Sequence, residues 1–445
     1  MLVPDPAFAP AVTAARRLFG TDGVRGVAGV DLTETLARDL GAAAAVSAGP
    51  GARIVIGRDT RESGPSLENA LVEGVVAAGG RALRAGVIPT PAVAVLTRLE
   101  GAERGCVISA SHNPYRDNGI KFLGPDGRKL DDAAEAAIEA GLGSASAADG
   151  GNDAELAGAR GAYADWLVET YGPAAPRLHV VLDCANGAAH AVAPAVFSAV
   201  GMVVRTIGTE PDGRNINAGV GSTHLAAVAE AVRGSGAAGG FAFDGDADRC
   251  LAVDADGRPI NGDAIIAAVA LAREVDRVVV TSMTNLGFHR LMGEHGIAVE
   301  VTDVGDRYVL ERMLATGATL GGEQSGHVVD LRHHTTGDGI ATALMLLAAL
   351  DRLGITMAGV ADLVPPFPQK LIAVPADRTA LAGCDPLWQE VRTAEAKLGR
   401  DGRVVVRASG TEPVVRVMVE ALDAAECERL CDHLAGVVAA EIGGT

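Results

Sequence analysis

Residues 239–249 read GGFAFDGDADR, an apolar run that ends in an acid and passes into a tight loop bearing two more acids. An apolar run of this length fits a strand buried on both faces, as in a mostly parallel sheet covered by helices. The same grammar recurs on either side. Apolar runs at 53–57 (RIVIG), 105–109 (GCVIS), 178–183 (LHVVLD) and 277–281 (RVVVT) alternate with helical patterns at 66–78, 131–140, 188–199, 225–233, 263–274 and 308–315. That alternation predicts βαβ units and an α/β fold. Strand ends bearing Asp or Gly recur at GRDT, DCANG and DGDADR, a hint of related units too sparse to count as a repeat.

Two breaks divide the chain. Residues 143–161 (GSASAADGGNDAELAGARG) are small and polar and predict a domain boundary near 150. Pro365, Pro366 and Pro368 mark the second break. Beyond them a strand (KLIAV), a helix over 386–397, two strands (RVVVRA and VVRVMVE) and a helix over 424–442 predict a small α+β domain. At about one domain per 150 residues the chain of 445 has room for three or four. We expect domains at 1–150, 151–250, 251–366 and 367–445.

Hydrophobic residues make up 48% of the chain and charged ones 21%, which supports real cores and excludes disorder as the main state. A net charge of −18 argues against binding nucleic acid or an anionic membrane through the overall field. None of the six cysteines forms CxxC, and the one close pair, Cys427 and Cys431, has helix-face spacing, so reduced thiols are expected rather than disulfides. The first residues, MLVPDPAFAPAVTAARR, lack the apolar core of a signal peptide, and no run reaches the ~18 apolar residues of a membrane span. A soluble, cytoplasmic protein is expected.

Five loops could carry chemistry. Asp244, Asp246 and Asp248 alternate along one loop, and their mutual repulsion calls for a cation. All-oxygen ligation suits Mg²⁺ or Ca²⁺, although a solvated acidic turn is the plain alternative. Arg249 and Ala255 stand where an EF-hand needs Gly and Glu. Ser111 and His112 lie in SASHNPYRDNGIKF after the strand GCVIS, where open α/β sheets place ligands; taken alone, a Ser-His dipeptide in a loop is more often ordinary turn chemistry, and no GxSxG is present. Lys121 would return a cation to that region. Residues 407–416 (RASGTEPVVR) suit either an anion cradle or a plain hairpin turn. FGTDGVRG at 19–26 is a similar glycine-rich loop. In GGEQSGH, Glu323, Ser325 and His327 alternate, so on an extended segment they would face one ligand; chance polarity near a turn is the alternative. DVGDR and TTGDG alone would be structural turns, and His333-His334 a solvated loop. Without GxGxxG or GxxxxGK[ST], neither NAD nor ATP is an expected cofactor.

Together and in this order, FGTDGVRG, ISASHNPYRDNGIKF, DCANGA, FAFDGDADR, VGDRYVLERM, GGEQSGH, TTGDGI and RASGTEPVVRVMVE resemble the α-D-phosphohexomutases, most like the bacterial members that act on glucosamine phosphate. The resemblance covers residues 19 to 420. It implies three related α/β domains with mixed sheets and a small C-terminal α+β domain around a central cleft. In that order they would bear the phosphoserine, metal-binding, sugar-binding and phosphate-binding loops.

By position, the resemblance makes Ser111 the serine that carries the transferable phosphoryl group as phosphoserine. Mg²⁺ is then held by that group with Asp244, Asp246 and Asp248. Arg25 and Arg249 match cleft arginines beside the reacting phosphate, and Lys121 and His327 match positions of proton transfer and substrate contact. Glu323 and Ser325 match sugar-hydroxyl ligands. Arg407, Ser409, Gly410, Thr411 and Arg416 match the clamp on the static phosphate, with His112, Asn113, Asp306 and Arg307 as further substrate contacts. The implied reaction interconverts glucosamine 6-phosphate and glucosamine 1-phosphate through a 1,6-bisphosphate and feeds UDP-N-acetylglucosamine synthesis. Glucosamine or glucose 1,6-bisphosphate would be the activator. Phosphomannomutase or phosphoglucomutase activity, a metal-dependent sugar phosphatase and a sugar-phosphate sensor are the alternatives. The expected partner is a small sugar phosphate; relatives in the bacterial subgroup are commonly homodimers, and no feature of this sequence decides that state. Two positions depart from the family pattern: Ala247 replaces the usual Gly of DGDGDR, and Ala408 stands where relatives often carry Lys.

Overall fold

The computed structural model describes residues 18–20, 22–143, 148–172, 177–409 and 413–443. Gly410 and Thr411 lie outside them. Four sheets follow one another along the chain. The first has six strands in the order Val24–Val27, Asp117–Leu123, Arg104–Ile108, Arg53–Arg58, Arg81–Val87 and Asn152–Glu155. The second runs Pro259–Ile260, Cys250–Asp254, Gly239–Phe243, His179–Asp183 and Val203–Ile207. The third runs Ala298–Thr302, Arg277–Thr281, Leu320–Gly322 and Val328–Asp330. Each of these three is mixed, and each contains the same device. A strand in parallel register with its neighbour on one side (Arg104–Ile108, Gly239–Phe243 or Leu320–Gly322) turns back into an antiparallel partner. The loop at that turn is the chemistry-bearing loop of each unit. The relation hinted at by GRDT, DCANG and DGDADR is therefore one of topology rather than of sequence.

The strands are apolar because helices cover both faces. Arg104–Ile108 and Gly239–Phe243 are buried at every residue. One continuous core runs through the first three units, from Val55 and Val93 through Val180 and Phe241 to Ile265 and Leu346. The fourth unit, an antiparallel sheet of Gln369–Pro375, Val414–Ala421 and Gly402–Ala408, keeps a separate core of Leu387, Val415, Leu434 and their neighbours. Polar groups gathered on the buried Glu420 contribute to the join between it and the third unit. Glu420 accepts from Asn285 Nδ2 at 3.2 Å and the Leu286 N–H at 3.1 Å, and pairs with Arg403 at 2.8 Å.

The predicted helices lie within a few residues of their expected places, and Glu34–Ala48, Thr90–Leu99, Ala159–Tyr171, Leu286–Glu294 and Gly339–Leu353 add to them, with several ends set by caps. Asp423 accepts the Glu426 N–H and starts Ala424–Ile442, and Asp338 caps Gly339–Leu353 through the Ala341 N–H. Among the described residues no helix is long and apolar enough to cross a membrane. All six cysteines are free and buried.

Three expectations need correction. The boundary expected near 150 falls a few residues later: Asn152–Glu155 adds an edge strand of the first sheet, parallel to Arg81–Val87, and all four of its residues are exposed, which is why it carries no hydrophobic signal. The division expected at 250 falls inside a hairpin, because Cys250–Asp254 pairs antiparallel with Gly239–Phe243. His334 is not solvated. It is 2% exposed, its Nε2 lies 3.4 Å from Asp338 Oδ2, and its ring meets Trp166 edge-on at 5.2 Å.

Candidate active site

The turns after the three equivalent strands converge. Ser111 follows Arg104–Ile108 and is almost fully buried, and its Oγ donates to Asp244 Oδ2 at 2.5 Å across the boundary between the first two sheets. His112 Nδ1 lies 3.3 Å from the same hydroxyl. Asp244, Asp246 and Asp248 each offer a carboxylate oxygen, all within 4.8 Å of one another, and all three residues are buried. Asp246 Oδ1 and Asp248 Oδ1 have no hydrogen-bond partner. Burial, then the charges of Asp248 and Asp246, push the Asp244 carboxyl well above its ordinary range. Crowded, buried, acceptor-only oxygens of this kind fit a hard divalent cation, which relieves the repulsion and takes up the orphaned lone pairs.

Cations ring this cluster. Lys121, on Asp117–Leu123, is 2% exposed and lies 3.1 Å from Asp246 and 3.0 Å from Asp22. Burial works against its charge, but Asp22 and Asp246 outweigh it and raise its pKa. The Arg249 backbone N–H donates to Asp244 Oδ1 at 3.2 Å, and its side-chain Nε lies 3.8 Å from Asp248. Arg25 pairs with Asp22. His327 sits with Nδ1 3.6 Å from Asp248 and Nε2 3.8 Å from Asp306. Burial opposes its protonation, but Asp248, Asp306 and Glu323 together raise its pKa.

The TTGDG turn, unremarkable alone, supports this arrangement at two points. Gly337 donates its N–H to His327 Nε2 at 3.2 Å, and a Cβ there would lie 2.5 Å from the imidazole ring. A Cβ on Gly339 would meet the Arg249 carbonyl at 2.4 Å. Both glycines therefore permit backbone to pack directly on chemistry-bearing residues.

Other expected residues fall differently. Glu323, Ser325 and His327 do not lie on an extended segment; 323–327 is a hairpin turn closed by Glu323 N–H on the His327 carbonyl. Glu323 Oε1 accepts the Gly305 N–H at 3.1 Å, and the Ser325 hydroxyl is buried without a partner. Asp306 is engaged by Lys129 at 2.5 Å. Arg307 turns to Asp132 at 2.7 Å and Glu311 at 2.9 Å, and Asn113 donates to Asp117 within its own loop. In the fourth unit, Arg407 and Arg416 stand directly opposite in antiparallel register. Like charges so placed repel; burial, then Arg416, lowers the Arg407 pKa. That placement favours an anion between them. Ser409 is buried and its carbonyl accepts from Arg378, a residue no motif marked.

Sequence reasoning also passed over Thr90, Asp22 and Lys129. Thr90 holds Asp246 twice, by Oγ1 on Oδ2 at 2.6 Å and by its N–H on the Asp246 carbonyl at 2.9 Å. Lys129 joins Asp22 to Asp306 and so ties the first unit to the third. Asp22 could have been found in FGTDGVRG; Thr90 and Lys129 had no local signal.

Ala247, the departure from the Gly pattern, adopts φ 57° and is fully buried. Left-handed backbone costs a non-glycine residue about 1–2 kcal/mol. Glycine would remove that cost, but would lose a buried methyl (about 0.8 kcal/mol) and add unfolded-state entropy (about 0.4–1 kcal/mol). The terms nearly cancel. Ala247→Gly is expected to shift unfolding free energy by less than about 1 kcal/mol while retaining activity, as denaturant melts and initial rates would show.

A serine hydroxyl set on a buried three-carboxylate cluster, within three related α/β units followed by a small α+β unit, defines a phosphohexomutase class. Models of the phosphoglucomutase/phosphomannomutase family match the chain in four successive pieces: alpha/beta/alpha domain I over 16–148, domain II over 162–257, domain III over 261–367 and the C-terminal domain over 371–437. The chain belongs to that family. Its similar relatives include the phosphoglucosamine mutase of Nocardia farcinica, 48% identical over 454 residues, 95% of this chain and 99% of that one. That of Thermobifida fusca is 48% identical over 96% of this chain and 99% of its own. Among solved structures, a phosphoglucomutase/phosphomannomutase family protein from Burkholderia thailandensis superposes with a TM-score of 0.82 at 26% identity, covering 96% of this chain and 98% of that one.

Proposed function

We propose that this chain interconverts glucosamine 6-phosphate and glucosamine 1-phosphate, with Ser111 as the phosphoryl carrier. The observation that carries the reading is the 2.5 Å approach of Ser111 Oγ to Asp244 within the three-carboxylate cluster. Relatives 48% identical over nearly the whole chain carry that activity in their names. Asp244, Asp246 and Asp248 would hold Mg²⁺, which when bound with the phosphoserine neutralises charge on the moving phosphoryl group.

The protein's own groups do the rest. In the first half-reaction the P–O bond to Ser111 breaks and a new bond forms to the free sugar hydroxyl, giving a 1,6-bisphosphate; in the second, the other phosphate returns to Ser111 Oγ. The hydroxyl's proton is lost in the first half and restored in the second. Lys121, whose carboxylate partners keep it protonated, stabilises the charge spread over the transferring oxygens and can return a proton to the serine oxygen. Arg25 and Arg249 add positive charge beside it. His327, whose Nε2 lone pair the Gly337 N–H already engages, would contact the sugar, and the neutral Lys121 amine left once its proton is given would take up the proton of the sugar hydroxyl. Arg407, Ser409 and Arg416, with Gly410 and Thr411, would hold the static phosphate, so the bisphosphate must reorient between halves while the fourth unit opens and closes on its polar joint. Glucosamine or glucose 1,6-bisphosphate would prime the serine. The reaction suits a cytoplasmic enzyme supplying amino sugar for cell-wall precursors.

Glu323 would be the acceptor for the sugar's 2-ammonium, or equally for its ring hydroxyls. Exchange of amine for hydroxyl at a hydrogen-bonded position costs on the order of 1–3 kcal/mol. kcat/KM for glucosamine 1-phosphate is therefore expected to exceed that for glucose 1-phosphate and mannose 1-phosphate by at least about tenfold, ~1.4 kcal/mol. Parallel assays of the three phosphates test this; equal or better turnover of glucose or mannose phosphate moves the assignment to those mutases.

A further inference from the structure

Ser111 has an improbable backbone: its φ is 52°, in the left-handed region that L side chains avoid. Such a conformation persists only where the surroundings over-determine it, and here they do so from two sides. On the amide side, the Ser111 N–H donates to Ser109 Oγ at 3.0 Å, and that hydroxyl donates to Asp59 at 2.6 Å. On the carbonyl side stands Arg61, 0% exposed, in the segment after the GRDT strand end.

All five guanidinium N–H groups of Arg61 are engaged. Nε donates to Asp59 at 2.8 Å; Nη1 to the Pro114 carbonyl and to the Asp117 carbonyl at 2.9 Å; Nη2 to the Ser111 carbonyl at 2.9 Å and the Asn113 carbonyl at 2.8 Å. Five planar donors are the whole inventory of a guanidinium, and no other side chain can span four carbonyls and a carboxylate at once. A second donor reaches the same carbonyl from the second unit. Asn217 Nδ2 lies 3.0 Å from the Ser111 oxygen and 3.2 Å from that of Asn113. The metal-loop residue Gly245 packs so tightly here that a Cβ would lie 2.5 Å from the Ser111 oxygen.

We propose that Arg61 and Asn217 are positioning residues for phosphoryl transfer: gripping the Ser111 carbonyl from the first and second units, they hold its strained backbone so that the hydroxyl points into the carboxylate cluster. The inference rests on Ser111 being the phosphoryl carrier. Asp59 balances the Arg61 charge, so the pair acts by geometry rather than by presenting charge to the reacting phosphate. One consequence is that the aim of the nucleophile depends on contact between two separate sheets.

The test compares Asn217→Gly, Arg61→Lys and, as control, Arg104→Lys. Asn217 itself has φ 59°, so glycine keeps its backbone and its N–H on the Ala185 carbonyl at 2.9 Å while removing the amide. Lysine at 61 keeps a charge but only three donors. Arg104 is another buried arginine of the first sheet, donating to the Ala44 carbonyl and Ser47, away from the cluster. Single-turnover transfer from glucose 1,6-bisphosphate to Ser111, followed by rapid quench and intact mass, is measured with steady-state kcat and KM. Misplacing a reacting atom by about 1 Å costs up to about 100-fold. We expect kcat and the transfer rate to fall together, about tenfold in Asn217→Gly and about 100-fold in Arg61→Lys, with KM within about threefold and Arg104→Lys unchanged. Unchanged transfer in folded Asn217→Gly overturns the proposal, as does a loss seen equally in Arg104→Lys or confined to KM. A wild-type protein that takes no phosphoryl group at Ser111 overturns the underlying reading as well.

Discussion

Ser111→Ala is expected to remove turnover while leaving the protein folded. Deleting a covalent nucleophile costs on the order of a million-fold in kcat where the other catalytic groups act only through it. Ser111 is such a group, because in the proposed cycle each phosphoryl transfer begins or ends on its oxygen. The structural cost is small by comparison. Alanine keeps the backbone and its hydrogen bonds to Ser109 and from Arg61, and loses the Oγ–Asp244 hydrogen bond and the longer contact with His112 Nδ1. That loss is worth about 1–3 kcal/mol against a total stability of about 5–15 kcal/mol. Circular dichroism and the thermal midpoint should therefore stay close to wild type while coupled-assay turnover falls below detection. An active Ser111→Ala protein would show that the hydroxyl only caps the acidic cluster.

The second large effect falls on the metal cluster. Asp246 does three things: it offers an oxygen to the cation, pairs with Lys121, and anchors to Thr90. Asp246→Asn keeps the shape and part of the Thr90 contact, halves the acidic partners of Lys121, and removes one negative charge from the cluster. Without metal, repulsion from Asp244 and Asp248 is relieved, so apo stability should hold or rise. With metal the balance reverses. A site occupied at 100 times its Kd stabilises the folded state by about 2.7 kcal/mol, so wild-type protein should melt higher in MgCl₂ and lose that gain in EDTA. Even a group that merely orients a ligand changes metal affinity about 10- to 100-fold; losing a ligand charge should cost at least that. Asp246→Asn should show little MgCl₂-dependent rise in Tm, with activity down about 100-fold or more at low metal and partly recovered at high metal. Unchanged activity and chelator response would mean the three acids form a solvated turn.

What the sequence disclosed and what it hid divide along locality. The strand runs were legible because burial on both faces leaves an unbroken apolar signature, as at 239–243. The final helix was legible end to end because Asp423 caps it and its apolar positions recur at helical spacing. The acidic loop and the serine loop were legible because each packs its chemistry within a few residues. Thr90, Lys129, Arg61 and Asn217 were not, because each acts on a residue from 50 to 177 positions away and sits in a segment with no periodic or compositional mark. GGEQSGH was ambiguous for a different reason. Alternation of polar residues looks alike on a strand and on a short hairpin turn, and only the pairing of Gly322 with Val328 decides between them. The edge strand Asn152–Glu155 was missed because a strand exposed at all four residues has the composition of a loop.

The central claim, that Ser111 exchanges a phosphoryl group with the sugar rather than passing it to water, is tested most directly by following that group. The protein is loaded with glucose 1,6-bisphosphate, freed of excess, and mixed with one equivalent of glucosamine 6-phosphate; intact mass, the Ser111 peptide and inorganic phosphate are then read over time. The account predicts one phosphoryl group on the Ser111 peptide after loading, its loss on mixing with matching gain in glucosamine bisphosphate, its return to Ser111 in step with the appearance of glucosamine 1-phosphate, and no accompanying rise in inorganic phosphate. A protein that never gains mass at Ser111, or one that releases inorganic phosphate in step with losing it, would contradict the account.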